Sequence, residues 1–244
     1  MTAQVHIEWG RHGVDQAAER CAIGTLVIVD VLSFSTAVDV ATSRGAIVFP
    51  FALGDRAAAQ AYAESMGALC AGRRDEEGPS LAPGSLTSLQ AGTRLVLPSP
   101  NGSRLSLASA KRPVFAGCLR NARAVADAAA GAADGGDIIV VAAGERWPDG
   151  LLRPAIEDWL GAGCIALHLA RAGFGLTPEA EAATACVAGL SDAGIVRVIA
   201  ACTSAVELVT RGYAADVALA IQIESSIGAP RLVAGGYRTM ETDR

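Results

Sequence analysis

The sequence predicts an α/β fold, built on a largely parallel or mixed sheet that helices cover on both faces. Short apolar runs typical of buried strands recur through the first 150 of the 244 residues. Ala-rich segments with helical spacing separate these runs, most clearly at 55–66 and 120–131. Such alternation favours parallel strands joined by crossover helices. Hydrophobic residues make up 51% of the chain, so a large core is available to hold these layers together.

The individual elements follow from their apolar periodicity. Strands are predicted at 4–9, 25–32, 46–51, 94–98, 113–116 and 137–143, with a late candidate at 230–234. After residue 150 the pattern becomes helical, with helices predicted at 154–171, 178–189, 192–211 and 213–223. The segment 72–92 is rich in turn formers and charge, which predicts a long surface loop, either a lid near a site or a plain connection. We expect one domain over 1–244, in which 1–150 is sheet-rich and 151–244 is helix-rich.

Composition limits the partners that the chain can bind. The formal charge is −5 at pH 7 and Lys and Arg form no run, which argues against a nucleic-acid or anionic-membrane surface. No apolar stretch approaches the ~20 residues of a bilayer span, and the start lacks a signal-peptide pattern, so we expect a cytoplasmic protein. A small molecule is the expected partner, and the apolar surplus indicates self-association as a homo-oligomer. Six cysteines, scattered without a Cys-x-x-Cys pair, are expected to be buried thiols rather than disulfides or zinc ligands.

Residues 26–36 carry the clearest chemical signal. The apolar run before Asp30 is typical of a buried strand, so this acid falls at a carboxyl end, where open α/β sheets place their ligands. The hydroxyls of Ser33, Ser35 and Thr36 then open a helix whose first turn offers N–H groups and a positive dipole end to an anion. A metal-bound phosphate fits this arrangement. The same residue types also occur in an ordinary turn with an N-cap.

A second polar turn follows the strand predicted at 94–98. Asn101 can coordinate a metal or donate to a phosphoryl oxygen, Gly102 lets the backbone approach a ligand closely, and Ser103 adds a hydroxyl. The layout repeats the one around Asp30. An Asn-Gly turn capped by Ser is the structural alternative.

Adjacent acids open the helix predicted at 154–171. Glu157 and Asp158 stand among apolar residues, and neighbouring helix positions lie about 100° apart, so one acid is expected to point inward while the other faces water. An inward carboxylate in an apolar first turn calls for a cation. Compensation of the helix dipole is the alternative. Asn121, near the start of the helix at 120–131, is either a cap or a ligand contact.

The order and spacing of these motifs resemble the 2-phosphosulfolactate phosphatase (ComB-like) family. The similarity extends over nearly the whole chain. The matching segments are Trp9-Gly10 to Gly13, Asp30-Val-Leu, Ser99-Pro-Asn101-Gly102-Ser103, Asn121-Ala-x-Ala-Val, Ala143-Gly144, Glu157-Asp158 with Ala162-Gly163, and Gly212-Tyr213 to Asp216-Val217.

The resemblance implies a magnesium-dependent acid phosphatase with a three-layer α/β/α fold, which hydrolyses a phosphate ester of a small sulfonated hydroxy acid on the route to coenzyme M. It also implies functional roles for six residues: Asp30, Asn101, Gly102, Asn121, Glu157 and Asp158. The first motif departs from the family pattern, because Ser33 stands where the family commonly has Arg, which grips phosphate or sulfonate with two N–H groups. Arg73 or Arg74 is a candidate to replace that charge from another direction.

For a phosphatase, we expect one Mg²⁺ held by Asp30 with Glu157 or Asp158, while N–H groups at the two turns take up transition-state charge. A metal-positioned water is the favoured nucleophile. A haloacid-dehalogenase Asp normally needs a second acid two positions later, where this chain has Leu32.

Two other functions stay open at the level of sequence. Arg11-His12-Gly13 resembles the turn of histidine phosphatases, which attack phosphate with that His. The second alternative is a non-catalytic module that binds a phosphorylated metabolite at the same helix starts.

Overall fold

A ten-stranded mixed sheet forms the centre of the computed structural model, which describes residues 3–52, 54–109 and 111–239. The strands are β1 (Gln4–Trp9), β2 (Ile23–Val29), β3 (Ile47–Ala52), β4 (Leu69–Cys70), β5 (Arg94–Ser99), β6 (Val114–Gly117), β7 (Asp137–Ala142), β8 (Glu145–Arg146), β9 (Leu152–Arg153), β10 (Gly175–Leu176), β11 (Pro230–Val233) and β12 (Gly236–Thr239). Their order in the sheet is β10-β1-β7-β2-β6-β11-β12-β3-β5-β4, while β8 and β9 pair in a separate hairpin.

Helices lie on both faces of this sheet. They are α1 (Gly10–Arg20), α2 (Phe34–Ser43), α3 (Arg56–Ser65), α4 (Gly102–Ser109), α5 (Ala122–Ala132), α6 (Ile156–Arg171), α7 (Pro178–Gly189), α8 (Asp192–Ala200), α9 (Thr203–Thr210) and α10 (Ala214–Ala220). Within the described ranges, no single helix combines the length and the apolar character that crossing a membrane requires.

The central strand β2 shows how the two cores arise. Val27 and Val29 point into a core formed with α5 to α10, whereas Leu26 and Ile28 point into a second core formed with α1, α2 and α4. Successive side chains of a strand face opposite sides, so a continuous apolar run supplies both cores at once. This arrangement confirms the predicted three-layer α/β/α fold with a mixed sheet.

The sheet joins two groups of parallel strands that run in opposite directions. In one group β10, β1, β7, β2 and β6 pair parallel, and in the other β3, β5 and β4 do so. The hairpin of β11 and β12 lies between the groups and pairs antiparallel on both sides. Five steps separate β2 from β5, over which a usual twist of roughly 20–25° per step accumulates to about 100°. The carboxyl ends of β2 and β5 meet although the two strands run in opposite directions. The contact is seen at α4, which follows β5 and begins against the end of β2.

All seven predicted strands are present, but two other predictions need correction. The segment 192–211 forms two helices, since the chain breaks at Cys202, whose Sγ accepts the N–H of Ala205 at 3.4 Å where α9 begins. The segment 72–92 is not a plain surface loop. It contains a 3₁₀ turn at Pro83–Leu86, and the Leu86 side chain is fully buried against α2.

Candidate active site

Asp30 lies at the carboxyl end of β2, where the chain turns into α2, and its side chain is buried. Its Oδ1 accepts the N–H of Phe34 at 3.0 Å, and its Oδ2 accepts the N–H of Gly102 at 3.1 Å. These donors are the first residues of α2 and α4, so two helix starts converge on one carboxylate. Position 102 has to be glycine for this approach, because a Cβ there would lie 2.2 Å from a ring carbon of Phe34.

Asp158 is held in the same manner in the first turn of α6. Its Oδ1 accepts the N–H of Val31 at 2.8 Å, and its Oδ2 accepts the N–H of Gly144 at 2.9 Å. The chain leaving Asp30 is therefore bonded directly to Asp158. The structure brings together two acids that the sequence separates by 128 positions, as the residue numbers themselves show.

Glu157 and Glu145 complete a group of four acids around Asp30 and Asp158. The expectation that one acid of the pair at 157 and 158 faces water is wrong: Glu157 is only 2% exposed and lies beside Cys202 at the start of α9. Asp158 is buried where it bonds to Val31 and Gly144, and Glu157 is buried beside the start of α9. Glu145 follows β7 and is half-buried, and the Nδ2 of Asn101 donates to its Oε2 at 3.1 Å.

Sequence reasoning did not select Glu145 as a site residue. The sequence contained an indication, because Glu145 is an acid three residues after the end of a buried strand, and an acid at the end of a buried strand is the pattern that singled out Asp30. We name the set of Asp30, Glu145, Glu157 and Asp158 the acid cluster.

Burial and mutual repulsion raise the pKa values of three members of the acid cluster, Asp30, Asp158 and Glu145. Burial, followed by the charge of Glu145, raises the pKa of Asp30 from 3.8 to about 7, against the opposing effect of its two backbone hydrogen bonds. Burial and then the charges of Asp30 and Glu157 raise the pKa of Asp158. Burial also raises the pKa of Glu145, while the hydrogen bond from Asn101 lowers it. A cation at this position would relieve the repulsion.

The donor chemistry of the acid cluster fits a magnesium ion. Mg²⁺ prefers oxygen ligands and usually keeps several waters, so one or two carboxylates and a substrate phosphate are enough to hold it. In the described part of the chain, no three of the four acids have ligand atoms within 4.8 Å of one another. The cluster therefore suits a partly hydrated ion rather than one enclosed by protein.

Three of the predicted phosphate-binding hydroxyls serve the backbone instead. The Oγ of Ser35 donates to the carbonyl of Ile28 at 2.8 Å, and the Oγ1 of Thr36 donates to the carbonyl of Val31 at 2.8 Å. Ser103 likewise donates to the carbonyl of Leu97 at 2.9 Å. These side chains are completely buried and their protons are used, so they fix the two turns around Asp30 rather than face a ligand.

Ser33 differs from the other predicted phosphate-binding hydroxyls because it accepts a hydrogen bond from a guanidinium group. The Nη2 of Arg74 donates to the Ser33 Oγ at 2.7 Å, and its Nη1 donates to Asp216 Oδ2 at 2.9 Å. Asp216 also accepts the N–H of Gly84 at 2.9 Å, so it anchors the 72–92 segment at two points. Arg74 therefore brings a guanidinium to Ser33, the residue that stands where the family motif commonly has Arg. Arg73 does not, since it is exposed and pairs with Asp75.

Asn121 is not brought to the acid cluster. Its Oδ1 accepts the N–H of Cys118 at 2.8 Å, and its Nδ2 lies 3.3 Å from both Asp39 Oδ1 and the carbonyl of Ala116. Its side chain is fully buried with these partners used. The structure thus makes Asn121 part of a separate buried group around Asp39, which also includes Arg120 and Ser226.

A sequence model of the 2-phosphosulpholactate phosphatase family matches residues 12–234. The chain belongs to this family. A comparison with curated proteins finds no match. The family consists of phosphoric monoester hydrolases, which confirms the expected enzyme class and the resemblance seen in the motifs.

Membership in the 2-phosphosulpholactate phosphatase family agrees with the positions of the histidines. His12 is exposed on α1, and His6 and His168 are paired with Asp137 and Glu224. Among the described residues, no histidine contacts the acid cluster by hydrogen bond or ion pair. The geometry does not support the histidine-phosphatase alternative.

Proposed function

We propose that the protein is a Mg²⁺-dependent phosphatase that hydrolyses the phosphate monoester of a small acidic metabolite. 2-Phosphosulfolactate, the substrate that gives the family its name, is an ester of this kind. The observation that carries the proposal is the burial of Asp30 and Asp158 in one group, in which Asp158 accepts the N–H of Val31 from the turn after Asp30, with Glu145 and Glu157 beside them. Three of these acids, Asp30, Asp158 and Glu145, have pKa values raised by burial, and such a group is a costly arrangement without a cation.

Asp30 and Asp158 are the residues that would hold Mg²⁺, with Glu145 and Glu157 as further oxygen donors. A bound Mg²⁺ supplies charge that polarises phosphoryl oxygens and lowers the pKa of water. The paired backbone N–H groups keep each carboxylate in one orientation, so these residues need no rearrangement when a phosphate arrives. Asn101 fixes Glu145 by its hydrogen bond.

The N–H groups at the two turns do not fulfil the role expected from sequence. Those of Phe34 and Gly102 are used by Asp30, so they orient the carboxylate rather than take up transition-state charge. The positive charge for this purpose comes from Arg74, whose guanidinium interacts electrostatically with Asp30. Only two of its five N–H donors are used by Ser33 and Asp216.

Arg74 also borders a cavity of about 450 Å³ that suits the rest of a small anionic substrate. The Tyr213 ring forms one wall and contacts two guanidinium groups, with Arg74 at 5.5 Å and Arg211 at 5.6 Å from its centroid. A substrate with a second anionic group beside its phosphate matches this charge. A sulfonate or a carboxylate meets that requirement.

The test is an assay of the purified protein on an aryl phosphate and on small phosphorylated hydroxy acids, with Mg²⁺ or with EDTA. We expect turnover with Mg²⁺, none with EDTA, and a preference for esters that carry a second acidic group. Turnover that survives EDTA would exclude the metal-dependent reaction. Tight binding without turnover of any ester would instead favour the non-catalytic binding module.

A further inference from the structure

A second group of potential metal ligands lies at the opposite edge of the sheet from the acid cluster. It consists of His6 in β1, Cys21 directly after α1, and Asp137 at the start of β7. One ligand atom from each of the three lies within 4.8 Å of the other two. In the described ranges, this is the one group of three such residues that meets that limit.

The backbone around this group holds all three side chains in place. β1 and β7 are neighbouring parallel strands, in which His6 pairs with Ile139. The Oδ1 of Asp137 accepts the N–H of Gln4 at 2.8 Å, while its Oδ2 lies 3.1 Å from the Nε2 of His6. Cys21 ends α1, where its N–H donates to the carbonyl of Ala17 at 3.0 Å. The ligands therefore come from rigid elements rather than from a loose loop.

The three ligand types together select a particular class of ion. An imidazole nitrogen, a cysteine sulfur and a carboxylate oxygen are the ligands of Zn²⁺ and related divalent transition metals, whereas Mg²⁺ prefers oxygen alone. Water can occupy a fourth position, because the side chains of His6 and Asp137 remain 14% and 20% exposed. The N–H of Gln4 would hold Asp137 in position by donating to its Oδ1, since the ligands of metal sites are usually oriented by such hydrogen bonds.

This group is separate from the acid cluster. Asp137 begins β7 and Glu145 lies beyond its end, and a strand of six residues spans roughly 20 Å. The chemistry at the two edges is therefore independent. The ion pair of His6 with Asp137 accounts for two members of the group, and the Sγ of Cys21 donates to the carbonyl of Ala17 at 3.3 Å. That local contact does not account for the sulfur lying within 4.8 Å of ligand atoms of both His6 and Asp137.

We infer that His6, Cys21 and Asp137 bind a divalent transition-metal ion of the Zn²⁺ class. The ion joins β1, the start of β7 and the segment that leads into β2. This inference departs from the expectation that the cysteines are not zinc ligands at Cys21 alone, whose partners come from distant parts of the sequence. The site does not depend on the proposed phosphatase reaction.

The probe is Co²⁺, titrated into the full-length protein after chelator treatment, with Mg²⁺ in excess to occupy the acid cluster. We expect a thiolate-to-cobalt charge-transfer band in the near ultraviolet and a higher Tm. Cys21→Ser should remove the band, and His6→Gln should weaken Co²⁺ binding by at least about 100-fold, because the loss of a ligand costs no less than the loss of a residue that only orients one. Zn²⁺ should displace Co²⁺ and abolish the band.

The matched control is Cys186→Ser, because Cys186 is also a half-buried free thiol but lies on α7. This variant should keep the band and the Co²⁺ affinity of the unchanged protein. Absence of the band in the unchanged protein would overturn the inference. So would a band that persists in Cys21→Ser, or one that is lost equally in Cys186→Ser. Circular dichroism checks that each variant is folded.

Discussion

Two groups of buried acids follow β2, and they differ in what neutralises them. Asp39, in α2, is completely buried but forms an ion pair with Arg120 at 2.8 Å and accepts hydrogen bonds from Ser226 and Asn121. Asp30 and Asp158 accept only backbone N–H groups among the bonds of the described residues. The charge of Asp39 is therefore matched by an arginine, whereas no cationic side chain among the described residues forms a hydrogen bond or ion pair with Asp30 or Asp158. This difference predicts a structural role for Asp39 and, under the proposed function, a metal-binding role for Asp30 and Asp158.

The comparison also corrects the assignment of Asn121. The resemblance to the phosphatase family implied that Asn121 has a functional role, but its amide belongs to the group around Asp39. Arg74, in contrast, belongs with the acid cluster rather than with the group around Asp39. It pairs with Asp216, yet its guanidinium reaches Ser33 at the edge of the acid cluster.

The largest expected effect comes from making the same Asp-to-Asn substitution in each of the two groups and comparing the results. Asp158→Asn should lower kcat at least about 1000-fold, because it removes one of the two carboxylates proposed to hold Mg²⁺, while the protein stays folded. Asp39→Asn should leave kcat per folded molecule nearly unchanged but destabilise the protein by about 3–5 kcal/mol, because it leaves Arg120 with a broken buried pair.

Steady-state kinetics and urea unfolding of both variants measure this contrast. Equal losses of kcat in the two would remove the distinction between the groups. A loss of stability without a loss of kcat in Asp158→Asn would make the acid cluster structural.

The next effect is a dependence of stability on pH in the metal-free protein. The pKa of Asp30 is raised from 3.8 to about 7 in the folded state, so between these values the folded protein binds more protons than the unfolded chain. Its contribution to stability is therefore complete below about pH 4 and is lost as the pH rises toward about 7. Asp158 acts in the same direction.

Thermal unfolding in EDTA across this range measures the loss, and the difference from Asp30→Asn isolates it from other titrating groups. Mg²⁺ should raise the Tm more at the high end of the range, where the carboxylates are ionised. A Tm difference between the two proteins that does not change with pH would contradict this account of the acid cluster.

The smallest effect concerns the charge that borders the acid cluster. Arg74→Lys should raise KM for a doubly anionic ester about tenfold, because an ammonium cannot reproduce the planar set of donors that reaches Ser33 and the substrate. Arg123→Ala is the control, since Arg123 is also an arginine paired with an acid, Glu224, but it is exposed and does not line the cavity. Its KM should change by less than about twofold. KM is measured for the doubly anionic ester and for an aryl phosphate. An increase for the ester alone indicates that Arg74 contacts the second anionic group, whereas an equal change for both indicates a general loss of activity.

Local patterns account for much of what could be predicted. The apolar run ending at Val29 predicted both the strand and the position of Asp30, since a strand buried on both faces has to be apolar throughout. The break at Cys202 was missed, because the residues on both sides of it continue one helical periodicity. The strand β12 has only four residues and no apolar run, so periodicity did not identify it.

The sequence by itself determined the α/β class, the strand positions and the placement of Asp30, because these depend on periodicities and turn residues within a few positions. Only the tertiary structure decided which polar groups meet. Gly102 reaches Asp30 across a sheet whose two halves run in opposite directions, and Arg74 reaches Ser33 through a buried segment. Such contacts depend on strand order, twist and the burial of distant side chains. Residues that are equally polar in the sequence therefore take different roles, in a turn, in an ion pair or in the candidate site.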